Sequence, residues 1–352
     1  MRTADFDYAL PPEQVAAFPP ERRDASRLCV LNRKTGACEE AIFSDIGRWL
    51  RAGDLLVANN SRVIPARLIG ELRGTRGKVE MLLTEPVNET DWLVLCRPAK
   101  KLKPDTAVLF GESLRATVLG HRGRGERLVR FEGDGDLRTL MATHGLPPLP
   151  PYILECRSHR TDLPADVAAL DRDRYQTVYA RDDGSVAAPT AGLHFTEPLI
   201  ASLRAQGVEW AEVTLHVGPG TFLPVRADDP SEHAMHEERY LIEAATAAQI
   251  NRARDEGRRV IPIGTTALRV LESVCDESGR ASARAGATNL FILPGHRFRS
   301  ADAMITNFHL PRSTLLMLVC AFAEREKTLS AYQWAIERGF RLFSYGDAML
   351  IV

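Results

Sequence analysis

Between Arg67 and Phe131 five short runs rich in β-branched and apolar residues, KVEMLL, WLVLC, TAVLF, LRATVL and RLVRF, follow one another about every dozen residues, separated by Gly, Pro and charged turns. Short strands at such even spacing predict a small barrel or sandwich rather than a parallel sheet. The flanks read differently. Before it come RLCVLN at 27–32, a helical SDIGRWLRAG opened by Ser44, and the apolar DLLVANN at 54–60. After it, helices over Glu197–Gln206 and Ala244–Glu256 lead into WAEVTLHV and RVIPIGT, and AMLIV closes the chain. Helix alternating with apolar strand predicts an α/β domain. The Pro-rich GLPPLPPYI at 145–153 suits neither a helix interior nor a central strand and reads as a stiff connection out of the β segment. A chain of 352 residues has room for two domains. The expected division is a discontinuous mixed α/β domain, 1–66 plus 147–352, interrupted by a small β insert at 67–146.

Charge narrows the function classes. With 45 Lys+Arg against 46 Asp+Glu the formal net charge is −1, which argues against a protein that coats nucleic acid by bulk charge. Residues 66–130 nevertheless hold 13 Lys+Arg and 8 Asp+Glu, so the β insert is the basic part. Six cysteines, at 29, 38, 96, 156, 275 and 320, lack the C-x-x-C spacing of a zinc or redox pair, and reduced thiols of a cytoplasmic protein are expected. The first residues, MRTADFDYALPP, hold no apolar signal region, and the longest apolar run, Leu315–Ala323, is short of the roughly 20 residues that span a bilayer. Neither secretion nor membrane insertion is expected.

Candidate chemistry gathers in a few turns. Four of nine histidines, His194, His216, His233 and His236, lie between 194 and 236, the first two beside glycine turns in PTAGLHF and LHVGPGTF. Such positions suit an acid or base, the ordinary alternative being a buried histidine with a satisfied hydrogen bond. Thr190, Thr221 and Glu237 accompany them. The stretch HAMHEERY resembles a hydrolase zinc motif only superficially, because its histidines are spaced i, i+3 and the Glu follows them. No metal site is expected. In RVIPIGTTALRVLES, an apolar strand, Gly264-Thr265-Thr266 and a helical pattern form a strand-turn-helix whose N-H groups suit a carboxylate or ribose hydroxyls, with Thr265 as a plain N-cap the alternative. ITNFHLPRST sets Asn307 and His309 in a turn restrained by Pro311, ahead of a helix capped by Ser313, while Leu315–Phe322 is expected to be core. NNSRVIPARL ends a strand with Asn59, Asn60, Ser61 and Arg62, either a polar turn or a donor cluster for an anion.

Together, NNSRVIPARL, PLPPYI, YQTVYA, SVAAPTAGLHFTEPL, VTLHVGPGTFLPVR, HAMHEERY, IGTTALRVLES, TNFHLPRSTLLMLVCAFA and FSYGDAML closely resemble, over nearly the whole length, the bacterial S-adenosylmethionine:tRNA ribosyltransferase-isomerases of the queuosine pathway. Departures are Pro219, His296 and Glu324, where alanine, an aromatic residue and glycine are usual in that family. The resemblance implies a mixed α/β domain with an inserted small β-barrel, acting as a monomer. It also implies transfer of the ribosyl group of S-adenosylmethionine to the aminomethyl group of preQ1 in tRNA, with isomerisation to an epoxycyclopentanediol and release of adenine and methionine.

On that implication S-adenosylmethionine is a substrate, and no tightly bound cofactor is expected. A sulfonium acidifies the adjacent C5′ hydrogens, so a neutral histidine or a carboxylate suffices as base, and an acid near the adenine assists its departure. His194, His216, Glu237 and His309 are the candidate catalytic residues. Thr190, Gly192, Thr221, Gly264, Thr265, Thr266, Arg269 and Asn307 are candidates for binding the donor. Asn59, Arg62, Arg67, Lys100, Lys101, Lys103, Arg122 and Arg124 are candidates for binding tRNA. Two other classes compete: an S-adenosylmethionine-dependent RNA methyltransferase, for which no glycine-rich donor loop follows the first strand, and a non-catalytic RNA-binding module, for which the insert has no row of aromatics to stack bases.

Overall fold

A computed structural model describes every residue except Thr75, Arg76, Gly123, Arg124, Leu223, Pro224 and Arg226, and, of Phe222, the backbone alone. The chain forms two compact units, one of Met1–Arg62, Pro150–Leu163 and Arg174–Val352, the other of Val63–Leu149 and Pro164–Asp173. The second unit is wider than the expected insert at 67–146. It takes in residues 164–173 because that segment packs back onto it, where Arg172 donates to the Gly145 carbonyl at 3.2 Å.

In the second unit the five expected runs become strands Lys78–Pro86, Asp91–Arg97, Ala107–Phe110, Leu114–His121 and Glu126–Gly133, joined by Arg67–Leu72. Antiparallel pairing of Arg67–Leu72 with both Lys78–Pro86 and Ala107–Phe110 closes these six into a barrel. Alternation fills its interior: Val79, Met81 and Leu83 point inward from one strand, Ala116 and Val118 from another, Val129 and Phe131 from a third. Gly145–Leu146 adds a short strand beside Arg67–Leu68, so the Pro-rich strip starts as sheet. It ends as helix, because Pro151, needing no N-H partner, opens Pro151–Ser158.

In the first unit nine strands lie in the order Arg284–Thr288, Glu238–Ile242, Glu209–Leu215, Leu55–Asn59, Val260–Ile263, Met304–Asn307, Ala348–Ile351, Arg27–Leu31 and Cys38–Ile42. Four of them, from Glu209–Leu215 to Met304–Asn307, run parallel. Being covered on both faces, Leu55–Asn59, Val260–Ile263 and Met304–Asn307 are buried at every residue, which is why they read as continuous apolar runs. One face packs Leu199, Leu203 and Phe195, the other Leu268, Leu316 and Phe322 among their neighbours.

Side-chain caps form at some helix starts and not at others. Thr196 and Ser313 accept from Leu199 and Leu316 N-H at 3.2 Å each, capping Glu197–Ala205 and Thr314–Ala323. The segment foreseen as a helix from Ser44 is instead a 3-10 helix, Phe43–Trp49, without a side-chain cap. Its requirement is to bury Phe43 and Ile46 on one side, which an i, i+3 spacing does by itself. Glu324 has φ +64°, a backbone that glycine adopts without strain, which accounts for glycine being common there in the resembled family. His296 Nε2 lies 2.9 Å from the carboxylate of Glu272, whose side chain is buried.

Candidate active site

Ligands of open α/β sheets bind beyond the carboxyl ends of the parallel strands. Here those ends carry, side by side, His216, Asn59 to Ser61, Gly264 to Thr266, and Asn307 to His309. A cleft opens over two of them, lined by Tyr152, Ala187 to Ala191, Val217, Thr221, Gly264 to Thr266, Thr306 to Leu310, Ser313, Leu315, Phe343 and Ser344. Leu315, expected in the core, is only partly buried and lines the cleft instead.

The helix Gly264–Val274 begins at the cleft without a side-chain cap, its N-cap residue being Ile263 and not Thr265. Gly264 has φ +89°, which brings the chain from strand to helix in one residue. The first N-H groups of such a helix have no partner within it and carry the positive end of its dipole, so this wall suits a carboxylate. Two side-chain atoms of the lining, Thr266 Oγ1 and Asn307 Oδ1, are buried without a hydrogen-bond partner among the described residues. In a folded protein such atoms are rare and mark places where a ligand or water completes the bonding.

His309 faces this cleft, its Nε2 2.9 Å from Thr306 Oγ1. Burial pushes its pKa down to about 3, so the ring is neutral at ordinary pH. The Tyr332 hydroxyl accepts from the His309 N-H at 2.9 Å and Tyr8 donates to its carbonyl at 2.7 Å, which fixes the turn.

Of the residues expected to bind the donor, Thr190, Thr221, Gly264, Thr265, Thr266 and Asn307 line the cleft, while Gly192 and Arg269 do not. A Cβ on Gly192 would lie 2.0 Å from Tyr179 Oη, so that glycine lets an aromatic ring close against the turn. Arg269 is buried in an ion pair with Glu238 and donates to the Leu290 carbonyl at 3.1 Å.

Among the expected catalytic residues only His309 lines the cleft. His194 is 3% exposed and lies behind it, with Ser26 Oγ 2.6 Å from Nδ1 and Asn307 Nδ2 3.1 Å from Nε2. Burial, with Arg341 and Arg23 nearby, pushes its pKa down to about 3. His216 is half-buried and its Nδ1 lies 2.8 Å from Ser61 Oγ. Burial and Arg239 lower its pKa against the pull of Asp182 and Asp183. Glu237 is exposed, and Glu238 is the carboxylate that turns inward, accepting from Gly218 N-H at 2.9 Å. In the strand Glu238–Ile242 residues 238, 240 and 242 are the buried ones, so period-two alternation, not nearness to His236, selects the carboxylate.

The expected RNA contacts divide as well. Lys100, Lys101, Lys103 and Arg122 are exposed on the second unit, as is Arg62 on the first. Arg67 pairs with Glu80 at 2.8 Å. Asn59 is fully buried with its amide satisfied by Leu215 and Ser61, so it holds the strand end and is closed to RNA. Arg124 lies outside the described residues. Sequence reading also missed Ser26, a single serine outside every quoted motif, Ser344, to which the block FSYGDAML gave no role, and Tyr152, hidden in a Pro-rich strip.

The fold and the cleft define an α/β protein with an inserted barrel, whose site is shaped for a ligand bearing a carboxylate and hydrogen-bond donors. The chain belongs to the queuosine biosynthesis protein family, whose model matches residues 3–351. It is 51% identical over 354 residues to the S-adenosylmethionine:tRNA ribosyltransferase-isomerase of Syntrophotalea carbinolica, covering 100% of both chains. To the enzyme of the same name from Heliobacterium modesticaldum it is 50% identical, again over 100% of both. Among solved structures it is similar to the S-adenosylmethionine tRNA ribosyltransferase of Thermotoga maritima, at 38% identity and a TM-score of 0.56, covering 99% of this chain and 100% of that one.

Proposed function

We infer that this chain is an S-adenosylmethionine:tRNA ribosyltransferase-isomerase, a soluble cytoplasmic enzyme of queuosine biosynthesis working as a monomer. S-adenosylmethionine is its ribosyl donor, and the acceptor is the aminomethyl group of preQ1 at the wobble position of tRNA. The products are epoxyqueuosine-tRNA, adenine and methionine. The observation that carries this reading is an uncapped helix N-terminus and two buried polar atoms without a partner among the described residues, around one cleft, in a chain similar end to end to enzymes of that name.

The donor lies in the cleft with its carboxylate on the N-H groups of Gly264, Thr265 and Thr266. His309 is the base. Thr306 Oγ1 lies 3.4 Å from the Asn307 carbonyl, to which it donates while it accepts from His309 Nε2-H, leaving the Nδ1 lone pair of a neutral ring for the C5′ proton. Burial that keeps the ring neutral also makes it release the proton readily, and departing adenine is the acceptor at hand. The exposed cations of the second unit, Lys100, Lys101, Lys103 and Arg122, supply the phosphate contacts.

Incubating the protein with S-adenosylmethionine and preQ1-tRNA and analysing the products by mass spectrometry tests the reading. Adenine, methionine and epoxyqueuosine are expected. S-adenosylhomocysteine would identify a methyltransferase, and tight tRNA binding without turnover a binding module. Reversing the charge of Lys100, Lys101 and Lys103 is expected to weaken tRNA binding and flatten its salt dependence, with the KM for S-adenosylmethionine unchanged.

A further inference from the structure

A buried line of hydrogen bonds runs behind the cleft from one main-chain carbonyl to another. Ser26 Oγ donates to the Arg23 carbonyl at 3.1 Å and lies 2.6 Å from His194 Nδ1. His194 Nε2 lies 3.1 Å from Asn307 Nδ2, which donates to the Phe343 carbonyl at 3.1 Å. The line has a single direction. A carbonyl can only accept, so the Asn307 nitrogen, not its oxygen, faces Phe343. The same nitrogen then gives its second hydrogen to His194 Nε2, which makes His194 the Nδ1-H tautomer and Ser26 its acceptor. Phe343 itself has φ +72°, unusual for a bulky residue and a sign that the position of this carbonyl is held against local preference.

With both amide hydrogens used, Asn307 turns its oxygen outward. Asn307 is 2% exposed, lines the cleft, and its Oδ1 has no partner among the described residues. The sheet places it beside the helix start. Ile263 pairs with Ile305 in the parallel ladder, so Gly264 and Thr265 leave one strand end as Thr306 and Asn307 leave the next, about 5 Å away. A carboxylate and an ammonium borne on one carbon match that separation.

We propose that His194 is a positioning residue that locks the Asn307 amide with its oxygen toward the cleft, where it takes the α-ammonium of S-adenosylmethionine beside the carboxylate held by the Gly264 turn. The proposal rests on the donor assigned above. It gives His194 a task that does not require contact with the reacting ribose, in keeping with its place behind the cleft.

The test compares S-adenosylmethionine with its desamino analogue, which keeps the carboxylate, in wild type, Asn307→Ala, His194→Ala, His194→Gln and the double alanine variant. Adenine release by the wild type comes first, since its absence defeats the donor assignment and not this one. With release established, wild type is expected to prefer S-adenosylmethionine over the analogue in KM by about tenfold or more, the worth of one charge-assisted hydrogen bond. Asn307→Ala removes that preference. His194→Ala raises the KM for S-adenosylmethionine while the pH dependence of kcat stays as in wild type, His194→Gln recovers most of the loss through its amide oxygen, and the double variant is no worse than Asn307→Ala alone. Preference retained in Asn307→Ala would overturn the ammonium assignment. A kcat pH profile altered in His194→Ala, or losses that add in the double variant, would overturn the positioning role. Should His194→Ala not fold, 15N spectra of the wild type decide: Nδ1-H without titration between pH 5 and 8 is expected, and an Nε2-H or protonated ring refutes the arrangement.

Discussion

Two polar clusters stand at the carboxyl ends of different parallel strands of one sheet, built from similar residue types, and differ in how their hydrogen bonds close. Around His216, Ser61 Oγ meets His216 Nδ1 at 2.8 Å and Ser185 Oγ at 2.7 Å, and Ser185 accepts from Val217 N-H at 3.0 Å. Asn59 completes that cluster with three bonds to Leu215 and Ser61. Around His309 the helix start is uncapped, and Asn307 Oδ1 and Thr266 Oγ1 have no partner among the described residues. A closed cluster holds strand ends together, whereas an open one keeps binding capacity in reserve at a cost in stability. Histidine beside glycine does not separate these cases in sequence, but the completeness of hydrogen bonding does in the structure.

The sharpest way to break this comparison is to truncate both histidines. His309→Ala is expected to lower kcat by about 10²- to 10⁴-fold, the usual worth of a general base. His216→Ala is expected to leave kcat within a few-fold and to cost about 1–2 kcal/mol of stability, read from urea unfolding. A larger kcat loss from His216→Ala would invert the assignment of the two clusters. A second contrast concerns neighbouring carboxylates. Glu238→Ala leaves Arg269 buried without its counter-charge and should destabilise by about 3–5 kcal/mol, while Glu237→Ala should fall within about 0.5 kcal/mol. Equal effects would mean that the strand register is wrong.

A last contrast is with pH. His194 and His309 both have pKa values pushed down to about 3 in the folded chain, while an unfolded histidine takes a proton near pH 6.5. The unfolded state therefore binds the extra protons, so their contribution is whole above pH 6.5 and falls as the pH drops toward 3. Each histidine should remove about 1.4 kcal/mol per pH unit in that window. Denaturant midpoints measured across it in wild type and His309→Ala should show a shallower slope in the variant, and identical slopes would mean that His309 is not buried in its neutral form.

Much of this was legible beforehand, for local reasons. Barrel strands announce themselves by alternation and turns, and parallel strands by uninterrupted apolar runs. Ser313 reads as a cap, Gly264 as the turn between strand and helix, and Asn307 with His309 as a polar turn between apolar elements. What stayed hidden depended on partners far along the chain. Ser26 and His194 meet across 168 positions, and Asn307 and His194 across 113. Asn59 sits among polar neighbours in sequence but spends its amide on Leu215, 156 positions away. Glu237 and Glu238 are chemically equal, and only the pairing of their strand says which one turns inward.

The sequence by itself determined the elements, the interruption of an α/β domain by a β-rich insert, and the short list of residues able to carry charge and protons, because propensity, periodicity and turn chemistry act within a few residues. Tertiary structure decided which histidine faces the cleft, which carboxylate is buried and which polar atoms are left unpaired. Those outcomes depend on burial and on hydrogen bonds between distant strands, and desolvation and bond completion have no value until the chain has closed around them.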